Sequence, residues 1–299
     1  MGIVMAATAL PAAPPCGGHG DRGGMVVTAA WLADHLKDRN LVILAVGSKQ
    51  DYDTAHIPGA LFLPYDSIYA KGHDGLSVEL PPMGDLASAF GKLGVSNDSR
   101  IVLYFNGNGF SQNTRVYLTL DAMGLGPHTS ILDGGFPVWQ SEGRAVTTEV
   151  RHVTEGKIEP CAQSDVITDL AFVRSNLNHP GVDIVDARLA EFYSGVRIPQ
   201  GKRAGHIPGA SNIAFNSLVD EQGKLKPRAA LEEQFRAAGI KSGDRVVSYC
   251  HIGQQATMVY FVARYLGYDA RMFDGSWEEW SAHAELPVET SPTATHAKP

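Results

Sequence analysis

The sequence predicts two α/β domains in tandem, each a central parallel sheet flanked by helices. Chain length, an internal repeat, and an alternation of short apolar runs with helical stretches predict it. The chain has 299 residues, room for one large or two medium domains. Three motifs occur twice, in the same order. Ala55-His-Ile-Pro-Gly-Ala60 returns as Gly205-His-Ile-Pro-Gly-Ala210, and Arg100-Ile-Val-Leu-Tyr104 returns as Arg245-Val-Val-Ser-Tyr249. Asp133-Gly-Gly-Phe-Pro-Val-Trp139 returns as Asp274-Gly-Ser-Trp-Glu-Glu-Trp280.

The two halves read alike from end to end. A helix is expected over 28–37 and again over 169–177. The apolar runs 41–46 and 182–185 follow, short and rich in Val and Ile, as buried strands are. After each His-Ile-Pro-Gly-Ala turn comes a helix, 85–93 and 227–238. Strands are then expected at 101–105 and 246–250, and helices at 112–123 and 254–266. Short strands alternating with helices call for a parallel sheet covered on both faces. The polar stretch 148–164, which carries Pro160, reads as a linker. It divides a first domain, 25–147, from a second, 165–289, and leaves 290–299 as a disordered tail.

Hydrophobic residues make up 44% of the chain and charged residues 19%, enough for an ordinary core in each half. The net charge of -7 and the lack of any Lys/Arg-rich run argue against a nucleic-acid partner. No run of eighteen apolar residues suggests a membrane span. The cysteines are Cys16, Cys161 and Cys250. They show neither Cys-x-x-Cys nor zinc-ligand spacing, which argues against a disulfide framework or a structural zinc site. Cys161 reads as a small buried hydrophobe. Residues 1–24 are apolar and then Gly-rich, like the core and cleavage region of an export signal without its positive start. A periplasmic or exported location is favoured over a cytoplasmic one on that ground; Met25 would serve as an internal start.

The chemistry concentrates in Arg245-Val-Val-Ser-Tyr-Cys-His-Ile-Gly-Gln-Gln-Ala-Thr257. A buried strand ends at Cys250, a loop with Gly253 follows, and then a helix. Ligands of parallel α/β sheets bind at the carboxyl ends of strands. Loop amides and a helix N-terminus favour an anion there, whether a thiolate or the outer sulfur of a persulfide. Aligning Arg100 with Arg245 sets Phe105 opposite Cys250, and the loop after Phe105 has no thiol. One copy carries a reactive residue where the other carries a ring.

On these residues the chain resembles the rhodanese superfamily over roughly residues 26 to 288. The carriers are the two His-Ile-Pro-Gly-Ala motifs, the Asp-Gly-Gly-Phe and Asp-Gly-Ser-Trp turns, and Tyr249-Cys250 with its loop. The resemblance implies two rhodanese-like domains, the first catalytically inactive and the second active. It implies a sulfurtransferase that takes a sulfane sulfur onto Cys250 and passes it to cyanide or a thiol. No metal or organic cofactor is implied, and a protein sulfur acceptor is a further partner class. Cys250 matches the nucleophile, and Arg188 of Asp186-Ala-Arg188 matches an arginine that faces the anionic donor. Arg197, Lys202 and Arg203 would add positive field. His56, His206, Asp133 and Asp274 read as structural, since both halves carry them.

The loop His251, Ile252, Gly253, Gln254, Gln255 departs from both familiar subgroups. Thiosulfate enzymes usually show Cys-Arg-Lys-Gly-Val-Thr, and mercaptopyruvate enzymes Cys-Gly-Ser/Ala-Gly-Val-Thr. Ile252 offers no hydroxyl, which tilts the expected donor towards thiosulfate over 3-mercaptopyruvate. His251 is either a titratable donor or a solvent-facing side chain. A Cys-x5-Arg phosphatase or arsenate reductase would need arginine at Ala256, which the chain lacks. A sulfur carrier or redox module with weak turnover of its own would use the same Cys250.

Overall fold

A computed structural model describes residues 22–72, 75–106 and 109–291. The expected export segment 1–24 and the tail 290–299 therefore lie almost wholly outside the described residues. Among the described residues, ten strands form two sheets. The first half gives β1 (Val26–Val27), β2 (Leu41–Val46), β3 (Leu61–Leu63), β4 (Arg100–Phe105) and β5 (Thr129–Leu132). The second gives β6 (Ile167–Thr168), β7 (Val182–Asp186), β8 (Ser211–Asn212), β9 (Arg245–Tyr249) and β10 (Asp269–Phe273). Their orders are β1-β5-β4-β2-β3 and β6-β10-β9-β7-β8, so one topology is used twice. Every strand pair is parallel. The four expected strands are present. The short edge strands were not foreseen, because two or three residues show no period, and neither were β5 and β10 beside them.

Local chemistry repeats as well. Thr28 and Asp169 cap equivalent helices, their side chains accepting from the N–H groups of Trp31 at 3.1 Å and Phe172 at 2.8 Å. Two central helices, Phe110–Ala122 and Ala256–Leu266, follow β4 and β9. They start nearer to and farther from their strands than expected: the second begins at Ala256, because residues 251–255 turn instead of coiling. Eleven of the thirteen residues in Phe110–Ala122 are buried, including Thr114, Arg115 and Asp121. A helix with polar residues buried all round needs a partner on each side. Its own sheet supplies one and the helix Ala256–Leu266 the other. A single apolar cluster accordingly runs through both halves, with Tyr117 edge-on to Phe261 at 4.8 Å between ring centroids.

The polar groups between the helices are paired. The hydroxyls of Thr114 and Thr257 are 2.7 Å apart. Tyr260 O–H donates to Asp121 Oδ2 at 2.6 Å, and Arg264 lies 3.4 Å from the same oxygen. The stretch expected to be a linker is held against the first half: the N–H groups of Gly156, Cys161 and Gln163 donate to the carbonyls of Gly91, Met123 and Ala122.

Cys161 corrects the sequence reading. It is half-buried and disulfide-bonded. Sequence spacing missed it because a disulfide requires nearness in space alone. No helix among the described residues is long and apolar enough to cross a membrane.

Asp121 is 2% exposed and Arg264 7%, so removing one partner strands a buried charge. Asp121→Ala is expected to lower the unfolding free energy by about 3–5 kcal/mol. Tyr260→Phe, which removes a hydrogen bond to that carboxylate, should cost about 1.5–3 kcal/mol. Chemical denaturation of the full chain measures both.

Candidate active site

β9 ends at Tyr249, one residue before the expected end, and Cys250 is the first residue beyond it. Its side chain is fully buried among apolar neighbours. Cys250 N–H donates to Ser276 Oγ at 3.2 Å, and Ser276 O–H donates to Phe273 O at 2.9 Å. The carbonyls of Cys250 and His251 accept from the N–H groups of Trp277 and Glu278, each at 2.9 Å. The Asp274-Gly-Ser-Trp turn thus fixes the start of the loop from behind. Ser276 takes a left-handed backbone (φ 51°) to do so, a strained state for a residue other than Gly.

Beyond Cys250, no backbone N–H of residues 251–255 donates a hydrogen bond among the described residues. Such a run of amides at the start of a helix is suited to an anion. Gly253 turns the loop with φ +83°, and a Cβ there would meet Asp274 O at 2.7 Å. Only glycine fits that backbone and that gap.

The first half supplies the wall. Arg115, fully buried, forms an ion pair with Asp274 and donates to Gly253 O at 3.2 Å. Leu80 N–H donates to Asp274 Oδ2 at 3.1 Å, and Ser77 donates to the Glu278 carboxylate from N–H and O–H at 2.8 and 2.9 Å. A reciprocal tie joins Leu225 N–H to Asp133 Oδ1 at 2.9 Å. Asp133 and Asp274 are therefore more than turn formers: each anchors a segment from the opposite half.

Arg188 is fully buried. Its Nε and Nη2 fork onto Asp186 at 3.0 and 2.6 Å, Nη2 also reaches Gly205 O at 2.8 Å, and its guanidinium lies 4.6 Å from the Trp277 ring centroid. Nη1 has no hydrogen-bond partner among the described residues. His251 is half-buried and packs edge-on to Phe192 at 4.6 Å. Burial first, then the Arg188 charge, push its pKa down to about 4, so it is a neutral ring at pH 7. Ile252, Gln254 and Gln255 are half-buried, and Gln254 O accepts from Thr257 O–H at 2.6 Å.

The other expected cations stand further off. Arg197 pairs with Glu191 in the open, Lys202 lies 3.7 Å from Glu278, and Arg203 donates to the carbonyls of His283 and Leu286. His56 and His206 stack on Tyr52 and Tyr193 at 3.9 and 3.8 Å, with Nδ1 against those residues' carbonyls, which is a structural placement. Arg264 is engaged with Asp121 and does not close a Cys-x5-Arg loop.

Sequence reasoning missed Arg115, Ser276 and Tyr65. The Tyr65 hydroxyl is buried and unpartnered among the described residues. Arg115 left no signal, since its contacts join positions far apart in the chain. Tyr65 left one: the repeat aligns it with Phe215.

Comparison with known proteins agrees with this architecture. Residues 28–142 and 169–283 each match the Rhodanese-like domain family. The chain is 31% identical over 276 residues to a 3-mercaptopyruvate sulfurtransferase of Escherichia coli, covering 88% of this chain and 97% of that one. It is 30% identical to a thiosulfate sulfurtransferase of Pseudomonas aeruginosa, covering 89% and 97%. A crystal structure of SseA from Escherichia coli, a 3-mercaptopyruvate sulfotransferase, superimposes with a TM-score of 0.74 at 28% identity, covering 85% of this chain and 98% of that one. Two Rhodanese-like domains, each built on a parallel sheet, place this chain in the rhodanese family as a sulfurtransferase.

Proposed function

We propose that Cys250 is the nucleophile and that thiosulfate is the favoured sulfur donor. The observation that carries the first part is the pairing of a strand-end thiol with amides that, like Arg188 Nη1, have no other hydrogen-bond partner among the described residues. The Cys250 thiolate attacks the outer sulfur of the donor. A new S–S bond forms, the donor's S–S bond breaks, and its electron pair leaves on sulfite. The loop amides hold the outer sulfur of the resulting persulfide. Cyanide or a thiolate then attacks that sulfur and returns the Cys250 thiolate. Arg188, held in one orientation by Asp186, meets the charge of the donor. Its rigidity comes from a fork of hydrogen bonds that a lysine lacks.

The absence of a hydroxyl at Ile252 supports thiosulfate, and the 3-mercaptopyruvate sulfurtransferase of Escherichia coli supports the second donor. Steady-state rates with both donors and several acceptors separate the two. They also separate an enzyme from a sulfur carrier, which would load Cys250 and release it slowly. The first half, with Phe105 in place of the thiol, serves as scaffold in this reading.

Cys250→Ser is expected to reduce turnover by about 10³-fold or more with either donor. Turnover that survives the substitution refutes the assignment. His251 is neutral above about pH 5, so His251→Asn should leave the shape of the pH–rate profile from pH 6 to 8 intact. The unfolded chain binds the His251 proton more tightly than the folded one. Stability should therefore fall as pH drops from 6.5 towards 4, and thermal midpoints of His251→Asn should follow a shallower slope there.

A further inference from the structure

The repeat gives the Cys250 site an internal control. Each half places a short 3-10 helix after its His-Ile-Pro-Gly-Ala turn, Tyr65–Ser67 in the first and Phe215–Leu218 in the second. Ser67 O–H donates to Pro64 O at 2.6 Å, and Ser217 O–H donates to Ala214 O at 2.7 Å. Tyr65 and Phe215 therefore occupy equivalent positions. Each helix also serves the opposite half. Phe215 lines a cavity of about 460 Å³ together with Phe105. Tyr65 packs against the apolar cluster that contains Cys250, on the segment that Ser77 and Leu80 tie to Glu278 and Asp274.

Strand register extends the match. Val46 is level with Phe105, while Asp186 is level with Tyr249, one residue short of Cys250. Gly47 thus stands where the second half has Arg188. Cys250, with Tyr65 and Arg188 each within electrostatic reach of it, makes one set of three. A phenyl ring, a second phenyl ring and a glycine hold the same three places in the other. Tyrosine and phenylalanine differ by one oxygen, and that oxygen is present only beside the thiol.

The hydroxyl is also the costly choice for packing. Tyr65 Oη is buried without a hydrogen-bond partner among the described residues, as is Arg188 Nη1. A buried polar group left unpaired is destabilising, and a phenyl ring avoids that. Burial raises the Tyr65 pKa against the lowering charge of Arg115, with smaller pushes from Tyr69 and Cys250, so the group stays protonated and acts as a donor rather than a base.

We propose that Tyr65, contributed by the half that lacks the thiol, is a substrate-contacting, specificity-determining residue: its O–H donates to an oxygen of the sulfur donor while Arg188 meets the same anion. The site then selects donors with an oxyanion beside the transferred sulfur, such as thiosulfate and organic thiosulfonates, over oxygen-free sulfur chains. As the donor's S–S bond breaks, the electron pair goes to the departing sulfite or sulfinate. Its oxygens gain charge facing Tyr65 and Arg188. The proposal rests on Cys250 as nucleophile.

Tyr65→Phe in the full chain tests it. Persulfide formation on Cys250 is followed by mass spectrometry in single turnovers with thiosulfate and, separately, inorganic polysulfide. The ratio of the thiosulfate rate to the polysulfide rate should fall about 10- to 100-fold, the worth of one hydrogen bond to a charged group. The thermal midpoint should hold or rise. An unchanged ratio overturns the proposal, and so does an equal loss with both donors, which is what a structural role gives. Wild-type chain that loads with neither donor, or loading that persists in Cys250→Ser, refutes the Cys250 reading itself and is distinguishable from both results.

Discussion

Arg115 and Asp274 meet where water does not reach, one from a helix of the first half and the other from a turn of the second. Such a pair adds little net stability over a well-packed apolar contact, but losing one member leaves a charge stranded in the interior. The pair therefore constrains more than it stabilises. Arg115 also holds the carbonyl of Gly253, and Asp274 also holds the N–H of Leu80. The loop after Cys250 and the segment that walls it thus share one ion pair as a common anchor.

That arrangement depends on how the two central helices face each other. A duplicated pair brings equivalent residues together near its axis, and chemistry limits which of them tolerate this. A hydroxyl is both donor and acceptor, so Thr114 and Thr257 pair with each other directly. Like charges repel. The matching helix ends, closed by Gly124 and Gly267, carry Asp121 on one side and Arg264 on the other. The two halves are alike where likeness is tolerated and complementary where it is not.

Much of the fold was legible because the repeat let each half check the other. Leu41–Val46, Arg100–Phe105 and Arg245–Tyr249 are buried on both faces and read as continuous apolar runs. Strands such as Ser211–Asn212 were not legible; their ladder partners, not their side chains, make them strands. In the candidate site, Cys250 and Arg188 were singled out from local motifs. The depth of Arg188 could not, since it follows from Asp186 and Trp277 converging in space. The neutrality of His251 was equally hidden, because burial and the Arg188 charge set it. Arg115 illustrates the general limit: a contact between residues 115 and 274 leaves no trace in either neighbourhood.

The exchange of segments between the halves has a consequence for how such a chain can be shortened. The helix Ala256–Leu266 buries nine of its eleven residues, many against the first half. A gene trimmed to its second copy would still encode the thiol, its loop and its strand. It would leave that helix wet along one side, Asp274 without its cation, and the loop without its wall. Redundancy ended once each copy came to wall the other, and from then on the copy without the thiol could be neither dropped nor replaced by an unrelated domain.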